Sequence, residues 1–370
     1  MLFEPTRATA LARAAAVDPQ AYARTRNTLG GAVTRLSPYL THGLVGLHEV
    51  YEAVHTRHAL HRQHKFVFEL GWRAYWRHVW GYCGEGIHSA LHPGPLPQSA
   101  YQRDMPQDVL HAETGIPVID LAVKTLYADG YLHNHARMWL ASYLVHVRKV
   151  HWHTGAQWML GYLLDGDIAS NHLSWQWVAG TASHKPYLFN ADNVARYAPA
   201  AWHSFGTVLD TDYDTLDALA RGHVVLPPAG EFAAEGGVAQ GVAVPPLYTQ
   251  PPALANTPPP WPPPAWPQCS PEPAAAVQGH NVWLHHPWAV HAHASDSGAD
   301  AVHIAVGVPD CHQAQPWSAQ RWAFVAQALR SVTPHLWWGS TPTLARALRG
   351  ARRVRWYSDP HINSALASMP

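Results

Sequence analysis

A proline-rich stretch divides this 370-residue chain and limits what it can fold into. From Val225 to about Gly279 the sequence is dominated by proline, alanine and glycine, with PPPWPPPAW at its centre. Proline removes backbone donors and fixes φ, so such a stretch favours an extended or polyproline-like linker. We therefore predict three parts: residues 1–224, a linker at 225–278, and residues 279–370.

Hydrophobic periodicity differs on the two sides of the linker. Before it, apolar residues recur at helical spacing, as in LHEVYEAVHTRHALHRQHKFVFELGWRAYWRHVWGY, which predicts a nearly all-helical part. After it, NVWLHH, AVHIAVGVP, PHLWWG and RRVRWYS are typical of short buried strands, separated by the helical stretches WSAQRWAFVAQALRSV and TPTLARALRG. The expected fold class is mainly α, with the helical part followed by a small Rossmann-like βαβαβ unit that packs against it.

Charge and cysteine content exclude several classes of protein. The 25 Lys+Arg balance 25 Asp+Glu, so the overall charge points to neither nucleic acid nor a membrane surface. Cys83, Cys269 and Cys311 show no CxxC spacing, which argues against a disulfide framework or a cysteine-ligated cluster. No apolar run reaches the ~18 residues of a spanning helix, and no signal-peptide core is found, so we expect a cytoplasmic protein without a membrane partner.

The window from Leu163 to Trp177 combines groups that suit a large planar ligand. Asp167, Asn171 and Trp175 stand at i, i+4 and i+8 and would line one side of a helix, with Asp165 on the turn before it. A carboxylate accepts from hydroxyls or a ring N–H, an amide donates and accepts, and an indole can pass an electron. On this window alone, an ordinary capped helix with a tryptophan-rich core is an equal alternative.

Four segments together resemble the flavin-binding domain of the DNA photolyase and cryptochrome family. They are TRLSPYLTHG, FELGWRAYWRH, TGIPVIDLAVKTLYADGYLHNHARMWLAS and LLDGDIASNHLSWQWVAGT, in the family's order and near its spacing. The resemblance implies one FAD per chain, bent into a U inside the helical part. Because these segments begin within the first forty residues, we expect the family's N-terminal α/β antenna domain to be missing, and no second, antenna chromophore. PWSAQRWAFVAQAL resembles a helix of that antenna domain. The C-terminal unit is therefore either a transposed remnant of the antenna domain or an unrelated module.

The resemblance implies a flavin site built from all four segments. Its cofactor-binding positions are Tyr22, Thr34, Arg35, Leu36, Ser37, Phe66, Arg73, Asn134, Arg137, Asp165, Asp167 and Asn171. The loop at 34–37 would cradle the pyrophosphate, and Arg137 and Asp165 would form a buried ion pair beside the isoalloxazine. Asp167 would accept from the ring edge. Asn171 matches the residue opposite flavin N5, where asparagine resembles the photolyases more than the cryptochromes.

The resemblance also implies a DNA-lesion site. The positions that match groups contacting a flipped-out pyrimidine pair are Glu69, Trp72, Asn134, Met138 and Trp177. Glu69 would hydrogen-bond the base edges, and Trp72 and Trp177 would stack. The implied function is repair of a cyclobutane pyrimidine dimer in single- or double-stranded DNA, in which photoexcited reduced FAD gives an electron to the lesion. Glu69 and Asn171 would be catalytic.

The family's photoreduction path runs through three tryptophans. Trp175 and Trp152 match the first two. The segment that should carry the third, PLPQSAYQRDMP, offers Tyr101 instead, and Trp158 and Trp139 are alternative ends of the path.

Departures from the family pattern leave an alternative function open. Val33 replaces a usual hydroxyl in the phosphate loop, and His135 replaces a usual arginine beside the DNA-facing surface. The alternative is a cryptochrome-like blue-light or redox signalling flavoprotein that reports to a partner protein, and a third reading is a non-photochemical FAD scaffold. Glu69, Trp72 and Trp177 favour repair, whereas the neutral charge and the unfamiliar C-terminal unit favour signalling.

The 28 histidines raise the question of a metal site. His55, His58, His61 and His64 follow one another at three-residue intervals. On a helix this spacing places successive side chains at different angles around the axis and not on one face, and no carboxylate pattern accompanies them. His151 and His153 flank Trp152 and would point to different faces. We therefore expect a solvated helix surface and no metal.

Overall fold

The computed structural model describes residues 2–224, 251–255, 273–291 and 301–370. Residues 2–224 form helices and loops without a β-strand, as predicted. The helices are α1 (Arg7–Ala15), α2 (Pro19–Thr25), α3 (Ser37–Thr41), α4 (Leu47–His58), α5 (Lys65–Cys83), α6 (Gln107–Leu110), α7 (Pro117–Asp129), α8 (Asn134–Ser142), α9 (Trp152–Tyr162), α10 (Ile168–Ala179), α11 (Ala191–Tyr197) and α12 (Tyr213–Ala220). None of the helices in the described ranges is both long and apolar enough to cross a bilayer.

Local sequence signals explain where several helices begin and end. The Asp18 carboxylate accepts from the backbone N–H groups of Gln20 and Ala21 and starts α2, with Pro19 in its first turn. Gly130 ends α7 at φ 59°, in the left-handed region that glycine adopts without strain. Asp167 caps α10 in the same way as Asp18 caps α2.

The prediction that His55 to His64 lie along one helix is wrong. α4 ends at His58, and Ala59 adopts a left-handed φ of 44°. His61 lies in the following loop, and His64 caps α5 by accepting from the Phe66 N–H. The three-residue spacing of the histidines continues past the end of α4, where no glycine or proline marks the break. Periodicity alone therefore did not predict that the helix ends there.

A small parallel sheet follows the linker, as the sequence predicts. Its strands are β2 (Asn281–His285), β3 (Val302–Gly307), β5 (Leu336–Trp338) and β6 (Arg353–Trp356), in the order β5-β3-β2-β6 and all parallel. The associated helices are α14 (Ala319–Arg330), α15 (Thr341–Ala347) and α16 (Asn363–Leu366). Val282 pairs with Val302 on one side and with Val354 on the other, so β2 is central and mostly buried.

The predicted linker contains regular structure where it is described. β1 (Leu254–Ala255) pairs antiparallel with β4 (Trp317–Ser318), and the Tyr162 hydroxyl donates to the Pro252 carbonyl at 2.7 Å. Residues 273–277 form the short helix α13 (Pro273–Val277). The remaining predicted linker, at 225–250 and 256–272, lies outside the described residues and includes the PPPWPPPAW segment.

One hydrophobic core joins the N-terminal helices to the α/β unit. It includes Phe3 and Tyr39 from the first forty residues together with Val306 and Phe324 from the unit. The Tyr39 and Phe324 rings meet edge-on at 6.0 Å. A second core, formed within the helical part, surrounds Trp139. Residues of the α/β unit therefore share a core with the N-terminal helices.

Arg321 anchors the α/β unit to the helical part. The side chain is fully buried; its Nη1 donates to the Leu160 carbonyl at 2.8 Å and its Nη2 to the Gly166 carbonyl at 2.5 Å. The guanidinium also lies over the Trp317 ring at 3.9 Å. A Cβ at Gly166 would overlap this guanidinium, so the close approach needs glycine there.

A buried aromatic cluster fills the interface beside Arg321. His312 lies among Trp288, Trp317 and Trp322, with ring centroids 5.5, 4.4 and 4.5 Å away. Neither His312 ring nitrogen has a hydrogen-bond partner among the described residues. Burial lowers the pKa of His312 to about 3, and the positive charge of Arg321 adds to this. The imidazole is therefore neutral at ordinary pH and packs as an aromatic ring.

Candidate functional site

The segment at 163–179 forms a turn followed by the helix α10. Asp167 Oδ2 accepts from the Ser170 N–H at 2.9 Å and from its hydroxyl at 2.8 Å, which fixes the start of α10. Asn171 follows one turn later, partly exposed, and its Nδ2 donates to the Ala156 carbonyl at 2.9 Å. Trp175 is buried another turn along. The spacing thus places these three groups along one helix.

Asp165 forms a bidentate ion pair with Arg137. Arg137 Nη2 lies 3.0 Å from Oδ1 and 2.8 Å from Oδ2. Burial raises the pKa of Asp165, but the charge and hydrogen bonds of Arg137, with a hydrogen bond from Ser37, lower it more, and the net pKa lies below its usual range. The Thr41 hydroxyl donates to the Asp165 carbonyl at 3.0 Å and accepts from Arg73 at 2.7 Å. A charged, connected network therefore surrounds Asp165.

Asp167 has a different partner from its neighbour. Its Oδ1 accepts from Arg77 Nη2 at 2.7 Å, and the other end of that guanidinium binds Asp359 at 2.5 Å. Burial raises the pKa of Asp167, but Arg77 and Arg73 lower it more strongly, so it stays ionised. We expected Asp167 to accept from the ring edge. Its oxygens instead bind Arg77 and the start of α10, so that role stays a prediction.

The predicted phosphate loop leads into the start of α3, whereas Tyr22 and Phe66 lie in α2 and at the start of α5. Arg35 adopts a left-handed φ of 53°, and the Leu36 N–H donates weakly to the Thr34 hydroxyl at 3.4 Å. Tyr22 meets Phe66 edge-on at 5.6 Å. Burial, with the charge of Glu69, raises the pKa of Tyr22, which keeps its hydroxyl protonated. Tyr22 and Phe66 therefore pack against each other.

The predicted lesion-contacting positions are more exposed than the ion pairs. Trp72 and Trp177 expose 39% and 40% of their surfaces. Glu69 is partly exposed and pairs with Arg26 at 3.4 Å. Asn134, exposed at the start of α8, donates to the sulfur of the partly buried Met138 at 3.4 Å. These five positions could contact a ligand that approaches from solvent.

The predicted electron path begins in the core. A Cβ at Gly155 would overlap the Trp175 ring, so that indole lies directly on α9, the helix that Trp152 begins. His151 stacks on Trp152 at 5.9 Å and meets Tyr101 edge-on at 6.4 Å. An unbroken series of aromatic rings thus runs from Trp152 to Tyr101.

Trp158 and Trp139, the two alternative ends of the electron path, each donate a hydrogen bond to another side chain. Trp158 donates to the Tyr127 hydroxyl at 3.3 Å, and Trp139 donates to Asn193 Oδ1 at 3.0 Å. His135, the departure from the family pattern, lies 5.7 Å from the Trp139 ring, and burial lowers its pKa. All three candidate ends are at most 9% exposed.

Sequence reasoning missed two groups of residues. Asp359 and Arg321 reach the helical part from positions more than 150 residues away in the chain. His88, His153 and His172 come together beside Trp152, with one nitrogen of each within 4.8 Å of the others. No local pattern connects such distant positions, although the unusual number of histidines was the one available signal.

Part of the helical region is similar to a known family. The family described as the FAD binding domain of DNA photolyase matches residues 66–201. The matched residues include nearly all of α5 and the whole of α8, α9 and α10. Three of the four sequence segments that carry the resemblance lie within the match, and TRLSPYLTHG, at residues 34–43, lies outside it.

Relatives carry the names of both branches of the family. A deoxyribodipyrimidine photo-lyase of Streptomyces griseus is 36% identical over 158 residues, which are 42% of this chain and 33% of that protein. A cryptochrome DASH of Gloeobacter violaceus is 29% identical over 174 residues, 44% of this chain and 34% of that protein. The matched part thus spans about a third of these relatives.

Two solved structures are similar to part of the chain. An archaeal photolyase from Sulfolobus tokodaii, solved with two FAD molecules, is 25% identical with a TM-score of 0.47, covering 59% of this chain and 50% of that one. A cryptochrome of Synechocystis is also 25% identical with a TM-score of 0.47, covering 53% and 44%.

Proposed function

We propose that this protein is a FAD-dependent, photolyase-like enzyme that uses light to repair cyclobutane pyrimidine dimers in DNA. The observation that carries the proposal is a paired arrangement on three helices. α5, α8 and α10 each place one group in the interior network or core and one on the open surface. The pairs are Arg73 with Trp72, Arg137 with Asn134, and Trp175 with Trp177.

The chemistry of the interior groups fits a flavin dinucleotide. Arg73 and the loop at 34–37 would hold the phosphates, because a guanidinium and backbone N–H groups are the donors that phosphate oxygens accept from. Arg137, held in place by ionised Asp165, would place a positive charge at the ring and stabilise its reduced form. Asn171 would hydrogen-bond the ring. Bound and reduced FAD would supply, on illumination, the electron that splits the dimer.

The surface groups fit an extruded base pair. Trp72 and Trp177 offer indole faces on which unpaired bases stack, worth about 1–3 kcal/mol per base. Glu69 and Asn134 would hydrogen-bond the base edges, and Met138 would make an adaptable apolar contact. To bind a base, Glu69 would exchange part of its 3.4 Å contact with Arg26, which is long enough to be weak.

Repair is tested with photoreduced protein on oligonucleotides that carry one dimer, both single- and double-stranded. We expect dimers to disappear under blue light and to persist in the dark. Glu69→Ala should retain FAD but slow repair, whereas Tyr82→Ala, at a 90% exposed position on the same helix, should retain FAD and repair at the wild-type rate. Flavin-loaded protein that leaves both substrates unchanged under light would reject repair.

A signalling flavoprotein is the second candidate. The equal numbers of acidic and basic residues favour it, because DNA-binding proteins use a basic surface to neutralise phosphates. Salt-dependent binding of dimer-containing DNA with no loss of flavin would favour repair. Light-dependent change in protein partners without DNA binding would favour signalling. If the protein were instead a non-photochemical FAD scaffold, Trp175→Phe would leave the rate of flavin photoreduction unchanged.

A further inference from the structure

Three histidines from separate elements converge beside Trp152. His88 ends the 3-10 turn at 84–88, His153 lies in the first turn of α9, and His172 lies on α10. Their ring centroids are 5.4, 5.2 and 5.3 Å apart, and the ring planes meet at 89°, 87° and 73°. The imidazoles therefore form a nearly equilateral triangle rather than a stack.

Two of the ring nitrogens have the spacing that a tetrahedral metal requires, and the third lies near them. Zn–N distances of about 2.0–2.1 Å correspond to about 3.3 Å between two ligand nitrogens. His88 Nδ1 and His153 Nε2 are 3.2 Å apart, and one nitrogen from each of the three histidines lies within 4.8 Å of the others. One edge of the tetrahedron is thus in place, and side-chain rotation would close the other two.

The burial of His172 is a second, independent observation. The side chain is fully buried, and its Nε2 has no hydrogen-bond partner in the described part of the chain. An unpaired buried nitrogen costs free energy that an apolar ring at the same place would avoid. A metal ion would satisfy it. His88 and His153 are partly exposed, which gives an ion a way in from solvent.

We propose that His88, His153 and His172 bind a divalent first-row transition metal ion, with Zn²⁺ as the representative case. The ligand set is three imidazoles without a carboxylate or thiolate, which suits Zn²⁺, Cu²⁺ or Ni²⁺ and disfavours Mg²⁺ and Ca²⁺. Glu85 Oε2 lies 4.0 Å from His88 Nε2, beyond hydrogen-bond distance, so Glu85 is not counted among the ligands. Three protein ligands leave a fourth position for water or another small ligand.

The site is tested by measuring zinc binding to the full chain. ZnCl₂ alone is the probe. After dialysis against a chelator, the wild-type protein should bind one more tight Zn²⁺ per chain than His88→Gln or His153→Gln. Each variant should lose at least about tenfold in affinity, because losing a ligand costs no less than losing an outer partner. Zn²⁺ should also raise the Tm of the wild type, and Mg²⁺ should not.

The control separates this site from the other histidines. His78→Gln removes an exposed histidine of α5 outside the cluster and should bind Zn²⁺ as the wild type does. His88→Gln changes a partly exposed side chain on a short turn, so its far-ultraviolet circular dichroism should match the wild type and show that the fold is intact. Equal stoichiometry and affinity in the wild type and both ligand variants would overturn the proposal.

Discussion

The helical part differs between the region that the α/β unit covers and the region that is open to solvent. Polar groups are paired in the covered region, and aromatic side chains are exposed in the open one. On the face covered by the α/β unit, Arg321 donates to two backbone carbonyls, and Arg77 bridges two carboxylates. On the open face, Trp72 and Trp177 keep about two fifths of their surfaces in solvent. On the covered face the charged side chains hold the α/β unit to the helical part. On the open face the two indoles leave apolar surface exposed, which a bound ligand would cover.

The largest effect should come from Arg321→Ala, on the covered face. The change leaves the carbonyls of Leu160 and Gly166 without their buried donor and opens a cavity, so we expect a loss of about 3–5 kcal/mol in the free energy of unfolding. Denaturant unfolding measures it. Arg346→Ala, at an exposed site on α15, should change the free energy by less than about 0.5 kcal/mol. Equal losses would show that Arg321 is not an anchor.

The two neighbouring carboxylates should separate stability from flavin binding. Asp167→Asn weakens the Arg77 bridge to Asp359 and should destabilise the protein by about 2–3 kcal/mol. Asp165→Asn breaks the pair with Arg137 and should mainly reduce FAD retention, by about tenfold. The measurements are thermal unfolding and flavin content after gel filtration. If both variants lost FAD equally without a difference in stability, the proposed division of roles between Asp165 and Asp167 would be wrong.

Acid should weaken the covered face through His312. Its pKa is about 3 in the folded protein and about 6.5 when unfolded, so below pH 6.5 the unfolded chain takes up a proton that the folded one does not. This part of the stability is present above pH 6.5 and decreases toward pH 3, by about 2 kcal/mol at pH 5. His312→Phe should flatten the pH dependence by that amount between pH 7 and pH 5. The prediction fails if the two pH profiles run parallel.

The smallest effects on stability should come from the open face. Trp72→Ala and Trp177→Ala remove partly exposed rings and should each weaken binding to dimer-containing DNA by about 1–3 kcal/mol, with little change in Tm. Fluorescence anisotropy with labelled DNA measures the binding. Tyr82→Ala is the matched control, because it removes an exposed ring on the same helix. A large fall in Tm in the tryptophan variants would assign these rings to packing.

Local chemistry explains what the sequence could predict. The Asp167 cap, the spacing to Asn171 and Trp175, and the strand and helix alternation near the C-terminus all depend on residues within a few turns of one another. Three of the four short segments that resemble the photolyase and cryptochrome family lie within the residues that the family model matches, because they carry chemistry at fixed offsets.

What the sequence could not predict depends on contacts between distant elements. The bridge from Arg77 to Asp359 joins positions 282 residues apart, and nothing near Asp359 distinguishes it from a surface carboxylate. The histidine triangle has the same cause, since one member comes from a turn and two from separate helices. The chain reversal at Ala59 was missed because alanine rarely adopts a positive φ.

The shared core that joins Phe3 and Tyr39 to Phe324 has a consequence for synthesis on the ribosome. The apolar faces of the first helices are made early, but the residues that cover them are made more than 260 positions later, by chain numbering. At about 5–20 residues per second, the 106 residues from 225 to 330, where α14 ends, take roughly 5–20 s to emerge. During that interval the N-terminal helices have no cover from α14, and a nascent chain of this protein should depend on chaperones more than one whose helical domain completes its own core.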